Sequence, residues 1–205
     1  MKKEYILGIL FFSGLWGLSE AILGGWLYKA QVPYASIPLT IIAFAILTVA
    51  GFYFPKAGVA SIIALCAMLF KFFNEPFFAC HLLGIAMLGI CYDIFFNVLP
   101  IKRKALSAFT AALTNYVLFA LMMTYITNNG FWNSSKLFGH IGEGFGAAIG
   151  CAIIVPATLY IVWAVKNRTE MPIAVCWKPA QIFASMIAVC IWAFGITTFL
   201  MHKTV

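Results

Sequence analysis

The sequence predicts an all-α integral membrane protein: a bundle of six to seven transmembrane helices in a single domain, residues 1–205, with a cytoplasmic N-terminus. Three observations carry this. Hydrophobic residues fill 64% of the 205 positions and charged residues only 9%, whereas soluble domains carry about 25% charged residues. The apolar residues fall in runs close to the roughly 20 residues that a helix needs to cross the hydrocarbon core. Those runs show no period-two alternation of the kind barrel strands carry. A mean hydropathy of +1.00 makes lipid the solvent for most of the chain. Most soluble enzymes, nucleic-acid binders and disulfide scaffolds are thereby excluded.

The spans follow in order. Tyr5–Tyr28 comes after Lys2 and Lys3, has no A-x-A-like cleavage site behind it, and is too long for a signal-peptide core. Ile37–Phe54 and Ala57–Phe73 are separated at Pro55-Lys56, because one stretch over 37–73 would far exceed the bilayer. Phe77–Leu99 follows the turn Asn74-Glu75-Pro76. Ala105–Thr127 begins after Lys102-Arg103-Lys104, and Phe138–Val165 and Ala180–Met201 complete seven. With the N-terminus inside, the cytoplasmic segments hold nine basic residues against Lys29, Lys136 and Lys203 outside. This satisfies the positive-inside rule and predicts a multi-pass protein of the cell (cytoplasmic) membrane. The +7 net charge is then a topology signal with some attraction to anionic lipid, and requires no nucleic acid. Six cysteines without a C-x-x-C pair read as buried thiols.

Small residues mark contact faces. Ser13, Gly17, Ala21 and Gly25 recur every fourth position in span 1, and Gly142, Gly146 and Gly150 do so in span 6. In lipid, small residues at that spacing let helix backbones approach closely, either within the bundle or, for the span 1 stripe, against a partner protein.

Ionisable groups inside spans cost a few kcal/mol near mid-bilayer and are functional candidates by default. Glu20, Lys71, His81, His140 and Glu143, with Glu75 in its turn, all fall in the outer leaflet; Asp93 is the exception, near the inner end of span 4. Such convergence predicts an outward-opening cavity. Tyr92 lies 11 residues after His81, about 20° away on the same helix face. Trp16 sits one turn before Glu20, and Trp132 lies in the longest outer loop, 128–137. These nine residues are the candidate ligand contacts, since placed polar groups in an apolar, aromatic cavity are the usual make-up of a small-molecule site. The plainer alternative is headgroup-level charges, with Lys71 paired to Glu75.

His140 and Glu143 share a helix face at i, i+3 and are competent metal ligands. With His81 and Glu20 they form the second reading, an intramembrane metal-binding protein or metalloenzyme. No H-E-x-x-H, G-x-S-x-G or phosphate-cradling loop is present, so the first reading is non-enzymatic, with no resident cofactor and no ATPase in this chain.

The segment Phe54–Leu65 (FPKAGVASIIAL), then Lys71, then His81–Asp93 (HLLGIAMLGICYD) resembles the middle of substrate-binding S components of energy-coupling factor transporters. The Ser13/Gly17/Ala21/Gly25 stripe is similar to the motif by which their first helix docks on a coupling subunit. The resemblance covers roughly residues 5–165. It implies capture of a small micronutrient, vitamin-like or cationic and nitrogen-rich, from outside, and reorientation driven by separate ATPase subunits through a transmembrane coupling subunit. The seventh span departs from the usual six, and the Met-His pair of the nickel and cobalt branch is missing.

Overall fold

A computed structural model describes residues 3–73, 79–99, 102–126, 134–168 and 186–197. Among them no strand occurs and 91% are helical, which agrees with the predicted class. Helix α1 runs Lys3–Ser19, widens into a π turn at Glu20–Gly24, and closes at Gly25–Lys29. Helix α2 is Ser36–Tyr53; its Pro38 falls in the first turn, where the missing N–H has no helical partner to lose. Helix α3 is Val59–Ala67 tightening into a 3₁₀ stretch, Met68–Phe73. Helix α4 is Ala79–Asp93 with a π extension Ile94–Val98, and α5 is Lys104–Leu121 extended by Met122–Ile126. Helix α6 is Ser134–Arg168, and α7 is Met186–Thr197.

Five of these are long and apolar enough to cross a membrane: Tyr5–Lys29, Ser36–Tyr53, Cys80–Val98, Lys104–Ile126 and Leu137–Asn167. Among the described residues, the seven expected spans correspond to these five helices and two shorter apolar ones, Val59–Phe72 and Met186–Thr197. At the rises of α- and 3₁₀-helices, the described part of α3 measures about 25 Å, and α7 is described over Met186–Thr197, the middle of the expected span Ala180–Met201. Helix α6 exceeds the roughly 30 Å hydrocarbon core: its 35 residues extend about 52 Å. Its second half leaves Ile153, Tyr160, Ile161 and Trp163 exposed.

The turn before α3 forms where Pro55-Lys56 predicts it. Phe54 ends α2, and Gly58 adopts φ +89 ahead of Val59, a conformation that suits glycine. Asp93, the one acidic residue within a predicted span that lies apart from the outer cluster, is explained here. Its Oδ2 accepts the Ser61 main-chain N–H at 2.7 Å and the Ser61 hydroxyl at 2.6 Å, and its Oδ1 accepts Asn97 Nδ2 at 2.8 Å. A carboxylate at a helix N-terminus satisfies an orphan donor and complements the helix dipole. Asp93 therefore clamps the start of α3 to the end of α4.

Helices α5 and α6 pair most extensively; α6 also packs on α2, α3 on α4, and α1 on α3. The core fills between them with Trp16, Phe44, Leu47, Ile63, Ala111, Cys151 and Val155. Consecutive helices alternate in direction, so α1, α3 and α5 end where α2, α4 and α6 begin. Lys56, Lys102, Arg103, Lys104 and Lys166 are exposed at the other end, where Lys104 and Lys166 lie 5.5 and 5.7 Å over the rings of Phe96 and Phe52.

The small-residue faces turn inward only in part. Ser13 and Gly17 are buried, and a methyl group on Gly17 would collide with Phe70 and approach the Ala67 carbonyl to 3.0 Å. Gly14 beside them faces Ile191 and Trp192 of α7, whose indole N–H donates to the Leu10 carbonyl at 3.1 Å. Ala21 and Gly25 are only half-buried. Positions four apart precess about 40° per step on a 3.6-residue helix, so the row drifts to the rim while Glu20 and Gly24 take the inward places. The same drift leaves Gly142 with nothing near it, while Gly146 and Gly150 meet Ile37 and Ile41 of α2. The tight approach of α6 to α5 is at Gly144, which packs on Tyr116.

Candidate functional site

A cavity of about 330 Å³ lies in the half of the bundle where α1, α3 and α5 end. Its size is at the small end of the range for ligand sites, about 300–1,000 Å³. Helix α1 contributes Trp16, Glu20 and Tyr28; α2 contributes Ser36, Leu39 and Thr40; α3 contributes Lys71. From α4 come Cys80, His81, Gly84, Ile85 and Leu88, from α5 Asn115, Tyr116 and Phe119, and from α6 His140 and Glu143.

Six of the nine sequence candidates, Trp16, Glu20, Lys71, His81, His140 and Glu143, thus line one cavity. Tyr92 does not. Its ring stacks on Phe96 at 4.1 Å, and its hydroxyl donates to Thr48 Oγ1 at 3.4 Å in the core. Glu75 and Trp132 lie outside the described residues.

The deepest charges are a pair. Lys71 Nζ meets Glu20 Oε2 at 2.8 Å and donates to the Glu20 main-chain carbonyl at 3.1 Å, while Trp16 Nε1 donates to Glu20 Oε1 at 3.4 Å. Lys71 is 2% and Glu20 7% exposed. Either charge alone would carry a penalty of several kcal/mol, which the partner and the extra hydrogen bonds offset. The plainer alternative paired Lys71 with Glu75, which lies outside the described residues; the structure gives Lys71 a partner in Glu20, 51 residues away in sequence. Glu20 opens the π turn, a feature that recurs at functional sites, and Gly24 at its end leaves room for the ammonium. A methyl group there would lie 3.2 Å from Lys71 Nζ.

Nearer the α6 end, His140 Nδ1 lies 3.2 Å from Glu143 Oε2, which also accepts the Ser36 hydroxyl at 3.1 Å. Thr40 and Tyr116 hydroxyls meet at 3.1 Å, tying α2 to α5. Two aromatic shelves complete the wall. His81 stacks on Tyr28 at 5.0 Å and 24°, and His140 lies against Tyr116 and Phe119 at 4.9 and 5.4 Å. The connection between α1 and α2 borders the cavity through Val32 and Tyr34. Gln31 and Tyr34 hold φ of 50 and 58, a left-handed backbone costly for residues with a Cβ.

Among the described residues, no three His, Cys, Asp or Glu side chains come together to hold a metal ion. His81 and the His140–Glu143 pair belong to separate contacts, and Glu20 is engaged by Lys71.

Counting only ionisable groups misses Ser36, Thr40, Asn115 and Tyr116. The polar triplet Thr114-Asn115-Tyr116 in the middle of an apolar span is the signal that points to the last two. Asn115 is 6% exposed, and its Oδ1 has no hydrogen-bond partner. Compared with protein-family models, with curated proteins and with solved structures, the chain matches none.

Proposed function

We propose that this chain is the ligand-binding subunit of a membrane uptake system, capturing a small molecule in the cavity between α1 and α6 and working with separate coupling and ATPase subunits. The observation that carries the reading is the gathering of six sequence-selected residues, from α1, α3, α4 and α6, around one cavity with polar and aromatic walls. The basic residues at the far end of the bundle support an outward-facing mouth, because positive charge favours the cytoplasmic side. With Glu20 neutralised by Lys71, Glu143 is the acidic group left to a ligand among the described residues, which favours a neutral or cationic compound. A coupling subunit would dock on the rim of α1, where half-buried Ala21 and Gly25 adjoin the exposed Ile22 and Trp26.

Native mass spectrometry of the full chain released from lipid nanodiscs tests this. A co-purified small molecule is expected, and it should be lost in Gly84→Leu. Gly84 lines the cavity, and a Cβ there makes only ordinary contact with Phe119, 3.6 Å away, so the larger side chain fills the cavity rather than splitting the helices. Retention of the same adduct in Gly84→Leu, or no bound compound under any extraction, refutes the reading.

A further inference from the structure

The charges that line the cavity do not cancel. Glu20 and Lys71 neutralise each other at 2.8 Å. With histidines counted as neutral, Glu143 leaves one negative charge over among the described lining residues. Its carboxylate is also only half engaged. The Ser36 hydroxyl and His140 Nδ1 both meet Oε2, at 3.1 and 3.2 Å. Among the described residues Oε1 has no protein partner, and unlike Asn115 Oδ1 it is not sealed from solvent. The Glu143 side chain keeps 24% of its surface exposed. Ser36 from α2 and His140 from the preceding turn of α6 hold the carboxylate in place before a ligand arrives, which lowers the cost of binding. Aromatic rings line the same cavity: Tyr116 and Phe119, packed on His140 at 4.9 and 5.4 Å, and Tyr34, two residues before Ser36.

From this we infer that Glu143 is the charge-selecting contact of the cavity: its Oε1 accepts a hydrogen bond from the ammonium head of the ligand, a small organic cation with an apolar body. This rests on the proposed ligand-binding role and narrows the ligand from neutral or cationic to cationic. An ammonium donating to a carboxylate makes a hydrogen bond roughly twice as strong as a neutral pair, and the electron-rich faces of aromatic rings attract the same charge. A neutral compound of the same shape would strip water from the carboxylate without supplying a counter-charge. Lys71 cannot take that place, because Glu20 holds its ammonium. Leu39, Ile85 and Leu88 offer the apolar body its wall.

The test is a matched pair of probes, benzylamine and benzyl alcohol, which differ by exchange of the ammonium for a neutral hydroxyl. Binding is measured by isothermal titration at neutral pH on the full chain in phosphatidylcholine nanodiscs, after removal of any co-purified compound, with empty nanodiscs as the blank. Benzylamine is expected to bind at least about tenfold more tightly than benzyl alcohol. In Glu143→Gln, which keeps an oxygen for Ser36 and removes the charge, the two should bind within about twofold of each other. The comparison on the unaltered chain stands even if Glu143→Gln does not fold. Equal affinity for both probes, tighter binding of the alcohol, binding of neither, or a preference for the amine that persists in Glu143→Gln overturns the inference. A neutral or anionic co-purified compound that is lost in Gly84→Leu would leave the binding role intact while the Glu143 assignment falls; absence of any co-purified compound together with binding of neither probe removes both.

Discussion

Replacing Lys71 by Met removes the ammonium while keeping an unbranched side chain of similar length, and leaves the Glu20 carboxylate, 7% exposed, facing a hydrocarbon neighbour. Lys71 contributes the 2.8 Å ion pair and the 3.1 Å bond to the Glu20 carbonyl. Breaking a buried pair from one side costs about 3–5 kcal/mol, so Lys71→Met is expected to lose that much. Glu20→Gln is milder. The substituted amide offers Lys71 an acceptor, and the main-chain carbonyl stays in place, so about 1.5–3 kcal/mol is expected, the worth of a charged hydrogen bond. The double variant leaves no charge and should recover part of the loss, because the uncompensated carboxylate is gone and only an uncharged amide and the Glu20 carbonyl are left short of the ammonium. Reversible unfolding in mixed micelles measures all four proteins. If the two single effects add to within about 0.5 kcal/mol, as independent sites do, the charges are not coupled and the account of the pair is wrong.

Asp93→Ala strips three acceptor contacts from Ser61 and Asn97 and should destabilise by at least about 2 kcal/mol, with Asp93→Asn intermediate; equal stability of Asp93→Ala and the parent in the same assay would refute the clamp. Gly17→Ala drives a methyl group into Phe70 and the Ala67 carbonyl and is expected to cost about 1–3 kcal/mol, whereas Gly142→Ala, with open space around it, should be neutral or gain up to about 1 kcal/mol from helix propensity; thermal unfolding of the pair separates them. Gly144→Ala would place its Cβ 2.6 Å from Tyr116 Cβ. By displacing Tyr116 it should weaken ligand retention in native mass spectra as well as stability, and unchanged retention would detach Tyr116 from the site.

The helix positions were legible because their signal is local. Apolar runs, the Pro55-Lys56 break and the basic cluster at 102–104 each announce a boundary within a few residues, and α1, α2 and α5 begin and end close to their predicted limits. The cavity was legible for a similar reason: an ionisable residue within an apolar span is rare enough to stand out, and the five such choices Glu20, Lys71, His81, His140 and Glu143 line one cavity. Hidden from the sequence was anything that depends on two helices meeting. Glu75, four residues away, was the nearest partner for Lys71 on paper, whereas the fold brings Glu20. A row of small residues at strict spacing four read as one face, but helical precession carried Ala21 and Gly25 off it. Neutral Asn115 escaped because it carries no charge, although the polar triplet Thr114-Asn115-Tyr116 marks it within an apolar span.

The Glu20–Lys71 pair also sets an order of assembly. Helix α1 is made first and carries an acidic side chain whose counter-charge has not yet been synthesised. A lone charge at the centre of an inserted helix costs about 2.5–3.5 kcal/mol on translocon scales and less toward the interface, so α1 by itself is held in lipid less firmly than its apolar length alone would give. Only when α3 arrives, 51 residues later, does that penalty lift. A lesion at Lys71 would then show itself during synthesis, as α1 slipping back out of the membrane, before there is a finished protein whose stability could be measured.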